Sequence, residues 1–214
     1  MQTIYMLSGV GADERLFSFL KLPGYELIYL KPPDTKKGES IEVYAKKCLP
    51  QITYERPILL GVSFGGMLAI EIAKLIEVEK VILISSIKQY SEFSRQIKFA
   101  FAIKLHKLLR PSVVKILSRI AYRFFRTPLK HVQDLQRDFF FSADGAFISW
   151  AVSAISNWHA DVPSVKLFHI QGSNDVILPA KYTSADVIIS GGTHFMIVEE
   201  AEEINTLIAD FLKL

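Results

Sequence analysis

One serine in this chain is flanked by glycines in a pattern that could do chemistry: Gly61-Val62-Ser63-Phe64-Gly65. Pro57 to Leu60, before it, reads as a short buried strand. Met67 to Ile76, after it, is apolar and long enough for about three helical turns. A strand that turns sharply into a helix at such a pentapeptide holds the serine on a tight, strained turn, its hydroxyl projecting beyond the end of the strand. Side chains at the flanking positions would collide with neighbouring strands, which explains the glycines. The helix that follows points its unpaired N–H groups at the serine. A hydroxyl is a poor nucleophile at its own pKa. Ser63 therefore needs a histidine to take its proton and a carboxylate to hold that histidine in one tautomer. The chemistry expected is attack on a carbonyl carbon.

Strands and helices that could position Ser63 alternate along the chain. Thr3 to Leu7, Tyr25 to Leu30, Pro57 to Leu60, Val81 to Ser85, Val165 to Gln171 and Asp186 to Ser190 read as strands. Asp13 is expected to cap a short helix through Leu20, and Ser40 a helix from Ile41 to about Ile52. Ala201 to Leu214 reads as a closing amphipathic helix. Such alternation predicts an α/β fold, a mostly parallel sheet with helices on both faces. The loop Ser8-Gly9-Val10-Gly11-Ala12-Asp13 lacks the third glycine of the dinucleotide fingerprint, so no nucleotide cofactor is expected. From Ser86 to Asp161 the rhythm gives way to helices: about Phe93 to Leu109, Ser112 to Phe125, Pro128 to Phe141, and Ala143 to Trp158. Pro111 and Pro128 stand at helix starts, with Thr127 as a cap.

The elbow in its strand–helix setting resembles that of the α/β-hydrolase superfamily. The resemblance implies about six strands in the order 2-1-3-4-5-6, so that Ser63 meets the loop after the first strand where the order reverses. The family's two opening strands have no counterpart before Thr3. The resemblance also implies the chain order serine, acid, histidine, with the acid after the next-to-last strand and the histidine after the last. Asp175 in Gly172-Ser173-Asn174-Asp175-Val176-Ile177-Leu178-Pro179 and His194 in Gly191-Gly192-Thr193-His194-Phe195 stand at those places. Ser63, Asp175 and His194 are thus the catalytic candidates. Oxyanion-hole donors are expected at the Phe64 N–H and, from the first loop, the Val10 N–H, with Gly11 second. Many members carry His-Gly where this chain has Ser8-Gly9, a departure that removes a side chain and keeps the backbone donor.

Residues 87–161 match in position the helical cap that many α/β-hydrolases insert, here within a single domain of residues 1–214. The candidates for substrate contact are Phe101, Trp150 and Trp158, in an apolar acyl pocket, although the first cap helix also fits plain core packing. The competing titratable groups read as follows. Asp186 would open the last strand at its wrong end, and Ser85-Ser86 stands where some members place the acid. His169, inside a strand, is expected to be a satisfied core histidine. His106 and His131 are expected to be solvated, and His159, next to Trp158, to be able to line the cleft.

Composition narrows the setting. Half of the 214 residues are apolar, yet no apolar run approaches the ~18 residues of a membrane span. Met1 leads directly onto a strand, so no leader is expected and a cytoplasmic location fits. Cys48 is the only cysteine, which excludes a disulfide framework and a cysteine-based metal site; no metal is expected. Net charge is +3, unevenly spread: Lys88 to Arg137 holds twelve basic and two acidic residues, and the remainder thirteen and twenty. The cations Arg95, Lys98, Lys104, Lys107, Arg110, Lys115, Arg119, Arg123 and Arg126 recur every three or four residues. Such a stripe is either a solvated face or a seat for an anionic partner. The anionic partners that fit are an acyl carrier protein, the phosphates of coenzyme A or an anionic membrane; nucleic acid is not expected. The function expected is hydrolysis of a carboxylic ester or thioester through an acyl-enzyme on Ser63. The alternatives are carbon–carbon bond hydrolysis by the same three residues, and a non-catalytic ligand-binding or membrane-surface protein on the same fold. A serine nucleophile argues against the dehalogenase and epoxide-hydrolase branches, which use aspartate.

Overall fold

The computed structural model describes residues 2–108, 110–125, 127 and 129–213, with the side chains at 107, 108, 115, 124, 125 and 131 left aside. The expected helix end at Leu109, the helix start at Pro128, the terminal Leu214, and the side chains of Lys107, Lys115, Arg126 and His131 lie outside the described residues.

The strands are β1 (Gln2–Leu7), β2 (Tyr25–Tyr29), β3 (Ile58–Val62), β4 (Lys80–Ile84), β5 (Lys166–Gly172) and β6 (Val187–Ile189). They form one six-stranded sheet in the order β2-β1-β3-β4-β5-β6, parallel throughout. β3 and β4 are buried along their whole length, as parallel strands covered on both faces must be. The two-residue period of a strand divides their side chains between two cores. Tyr5, Leu7, Leu59, Val81 and Leu83 join the core beneath α1 (Ile41–Cys48) and α2 (Phe64–Ala73). Ile4, Met6, Ile58, Leu60, Ile82 and Ile84 join the core beneath α8 (Ala201–Lys213). Ser40 Oγ accepts from Val43 N at the start of α1, and Asp13 caps the short turn Glu14–Phe17.

β3 runs past the expected Leu60 to Val62. Gly61 pairs with Leu7 on one side and Leu83 on the other, so this glycine belongs to the strand and not to the turn.

Between β4 and β5 run α3 (Arg95–Ala102), α4 (Pro111–Phe125), α5 (Lys130–Ser142) and α6 (Gly145–Ser156). The expected long helix from Phe93 breaks: α3 stops at Ala102, and a separate turn spans Leu105–Leu108. Lys104 adopts φ +57° there, and the Ile103 and Lys104 N–H groups close back onto the Phe99 and Phe101 carbonyls. No glycine or proline marks that break. Thr127 does not cap α5. Its hydroxyl accepts from Leu129 N, and Leu129 takes the N-cap position without a side-chain bond. At α6 the cap is Asp144, which accepts from Ala146 N. A last short helix, α7 (Met196–Glu199), precedes α8.

Candidate active site

Ser63 sits at φ 54° and ψ −120°, a conformation that L-residues rarely adopt. Three hydrogen bonds hold it. Ser63 N donates to Ile84 O at 3.0 Å, Gly66 N donates to Ser63 O at 2.9 Å, and Ser86 Oγ donates to Ser63 O at 2.7 Å. A β-carbon at Gly65 would fall on the Leu7 carbonyl, so α2 can approach β1 this closely only with glycine there. Ser86, which sequence reading noted only as the absence of an acid, thus serves as a strut under the elbow.

The three catalytic candidates form one hydrogen-bonded series. His194 Nε2 lies 3.0 Å from Ser63 Oγ, and His194 Nδ1 lies 2.7 Å from Asp175 Oδ2. Asp175 is 2% exposed, and its carboxylate is fully engaged. Oδ1 accepts from Ile177 N at 2.9 Å and Leu178 N at 2.8 Å, and Oδ2 also accepts from Gln171 Nε2 at 2.9 Å. A buried carboxylate needs this many donors to offset the loss of water. The acid loop and the histidine loop are tied through Asn174 N to Gly192 O, 2.9 Å, and Ser173 N to Ile189 O, 3.0 Å. A side chain on Gly172 would run into the Gly192 backbone, so glycine lets the two loops touch.

Ser63 and His194 open onto a cavity of about 550 Å³. Val10, Gly11 and Phe64 line it, and a β-carbon placed on Gly9 would lie 3.2 Å from Ser63 Cβ, which brings the first loop against the elbow. Neither the Val10 nor the Phe64 N–H donates to another protein group among the described residues. Helices α3, α4, α5 and α6 all contribute to the wall, through residues such as Phe101, Val114, Phe139 and Ile148. Among the lining residues only Ser63, Ser118 and His194 carry a polar side chain, and none is Asp, Glu, Lys or Arg.

Of the expected substrate contacts, Phe101 lines the cavity and the two tryptophans do not. Trp158 is 1% exposed, and its indole N–H donates to Glu71 Oε1 at 2.8 Å. The Trp150 N–H donates to the Glu39 carbonyl at 2.9 Å, and its ring packs on Tyr44 and against the edge of Phe64. A buried indole must find an acceptor, and in both cases that acceptor lies away from the cavity. His159 also lies away from it, exposed and stacked on Tyr90. His106 is partly buried instead of solvated, 3.4 Å from Ser156 Oγ and edge-on to Phe101.

His169 departs from expectation too. It is fully buried, and neither ring nitrogen makes a hydrogen bond of good geometry, with the Gln171 side chain its polar neighbour. Burial pushes its pKa down to about 4, against a smaller upward pull from Glu92. Asp186 accepts from the backbone N–H of His169 at 2.7 Å, at the amino end of β6, which separates it from His194. Among the described residues no cluster of three or more His, Cys, Asp or Glu is arranged to hold a metal ion. Gln171 was missed by sequence reading. Its signal is a polar residue in a buried strand, four positions before the acid.

No protein-family model and no curated relative matches the sequence. Solved structures do match in shape. A thermophilic esterase from Thermogutta terrifontis is similar over 100% of this chain and 90% of its own, with a TM-score of 0.76 at 16% identity. The enol-lactonase from Burkholderia xenovorans LB400 is similar over 100% and 92%, with a TM-score of 0.74 at 16% identity. MenH from S. aureus is similar over 99% and 93%, with a TM-score of 0.73 at 17% identity. Strand order, elbow and these likenesses agree: the chain has the α/β-hydrolase fold.

Proposed function

We propose that the protein is a serine hydrolase that cleaves an uncharged carboxylic ester or thioester. The observation that carries this reading is the Asp175–His194–Ser63 series opening onto a cavity without a charged wall residue. Ser63 Oγ attacks the acyl carbonyl carbon while its proton passes to His194 Nε2. Asp175 Oδ2 steadies the imidazolium through Nδ1. Negative charge builds on the former carbonyl oxygen and is met by the Phe64 N–H and an N–H of the first loop, Val10 first and Gly11 second. Each such donor lowers the barrier by roughly 2.7–4 kcal/mol. Collapse of the tetrahedral intermediate breaks the acyl–oxygen or acyl–sulfur bond, and His194 returns its proton to the leaving group. Water, deprotonated by His194, then cleaves the acyl-enzyme and restores the Ser63 hydroxyl.

The cavity supports the choice of substrate. A carboxylate buried there would lose its water and gain no counter-ion, a cost of several kcal/mol. The esterase and the enol-lactonase that share the fold support cleavage at an ester carbonyl. The test is labelling with a fluorophosphonate, together with turnover of neutral acyl esters and thioesters. A single label that disappears in Ser63→Ala, with kcat lower by on the order of 10⁶, is the expected result. Persistent labelling or turnover in Ser63→Ala overturns the reading.

A further inference from the structure

The outer faces of two helices that wall the cavity are apolar where water should meet them. On α4, Val113, Ile116, Leu117 and Ile120 recur at helical spacing on one stripe, and all are exposed, Ile116 to 63%. Val114, on the other side of the helix, is buried and lines the cavity. On α3 and just past its end, Phe99 and Ile103 stand four residues apart and are 65% and 55% exposed, with Leu105 exposed nearby. Single apolar residues are ordinary on a surface, but runs of them on two helices of one insertion mark a contact surface.

The stripe on α4 borders the way in. Leu117 and Ile177 both line the cavity and are both exposed, so the cavity opens beside them, and Leu117 belongs to the exposed stripe of α4. Cations flank the same helices. Arg95, Lys104, Arg110, Arg119 and Arg123 are exposed, and among the described residues none of them has an acidic partner. The segment from Lys88 to Arg137 carries +10, against −7 for the rest of the chain.

We propose that this surface seats on an anionic lipid bilayer. Phe99, Ile103, Ile116 and Ile120 enter the boundary between headgroups and acyl chains, and the surrounding arginines and Lys104 meet the lipid phosphates. A lipid surface supplies phosphates for the cations and an acyl boundary for the large aliphatic side chains in one plane. No single described helix is long and apolar enough to cross a membrane, and the proposal needs none, since both stripes lie along helix sides. Seated this way, the opening at Leu117 and Ile177 faces the acyl chains. On the hydrolase reading, an apolar substrate then reaches Ser63 without crossing water.

Vesicle flotation tests this with the intact chain. Vesicles of phosphatidylcholine alone are compared with vesicles containing about one-third phosphatidylglycerol, at about 50 mM salt. The protein should float with the anionic vesicles only, and about 500 mM salt should release most of it. Arg119→Glu with Arg123→Glu, and separately Ile116→Ser with Ile120→Ser, should each weaken binding by about tenfold. Phe99→Ser with Ile103→Ser repeats the apolar test on a second helix, with circular dichroism checking that each variant is folded. Ser63→Ala should float like the unaltered protein, so failure of the hydrolase reading leaves this test intact. Absence from anionic vesicles overturns the proposal. So does undiminished flotation of all three folded pairs, or binding to an acidic carrier protein in place of vesicles.

Discussion

Gln171 and His194 converge on a single oxygen: Gln171 Nε2 at 2.9 Å and His194 Nδ1 at 2.7 Å both reach Asp175 Oδ2. The Gln171 amide also donates to the Leu178 carbonyl, so one side chain of β5 pins both the carboxylate and the loop that carries it. Gln171→Met keeps the bulk and removes the donor. The expected result is kcat lower by about tenfold with KM unchanged, because orientation at the histidine is lost and substrate contact is not. Steady-state kinetics on a neutral ester checks this; a change confined to KM would show that Gln171 does not position the acid.

The acid assignment has its own discriminating pair. Asp175→Asn should leave the fold intact and lower kcat by roughly 10⁴, since the neutral amide favours the wrong histidine tautomer. Asp186→Asn, which touches the His169 backbone and not His194, should retain most activity. Kinetics of the two variants side by side decides, and the reverse outcome would move the acid to Asp186.

The aromatic residues of α3 and α6 should separate into two kinds. Phe101 lines the cavity, so Phe101→Ala should shift preference toward longer or bulkier acyl groups. Trp150 packs behind the wall on Tyr44, so Trp150→Ala should cost about 3–5 kcal/mol of stability and leave chain-length preference alone. A panel of p-nitrophenyl esters of increasing chain length, run beside urea titrations, reads both.

His169 predicts a pH-dependent stability. Its pKa falls from 6.5 to about 4 in the folded protein because burial strips the ring of the solvent that would stabilise its charged form. Between those values the unfolded chain binds a proton that the folded chain does not. Stability should therefore be unaffected above about pH 6.5 and decline as pH falls toward about 4, by about 3 kcal/mol in all. His169→Gln should abolish that slope in urea melts across the same window.

Much of this was legible in the chain itself. Each strand ended near a glycine or a polar loop, the βα alternation implied a parallel sheet, and the strand order came from the resemblance of the elbow to the α/β-hydrolase family. Ser63, Asp175 and His194 each sit just beyond a strand's carboxyl end, the one edge where a parallel sheet brings distant loops together. Orientation was harder to read. Trp150 and Trp158 were expected at the substrate pocket; their indoles turn instead to acceptors on Glu39 and Glu71, which lie over eighty residues away in the chain and which local sequence does not reveal. The break at Lys104 carries no helix-breaking residue. Gln171 gave only the weak signal of a polar residue in an apolar strand.

The strained backbone of Ser63 also makes the elbow a clock for folding. Its N–H is held by the last residue of β4, and its carbonyl by Ser86, both more than twenty positions downstream. A chain in which β3 and β4 have not yet paired has only the local Gly66 N–H to hold Ser63 in that conformation, which costs on the order of 1–3 kcal/mol. The reactive hydroxyl therefore comes into being only as the centre of the sheet zips shut. Partly folded forms should be chemically silent, and fluorophosphonate labelling during refolding should not return before those two strands join.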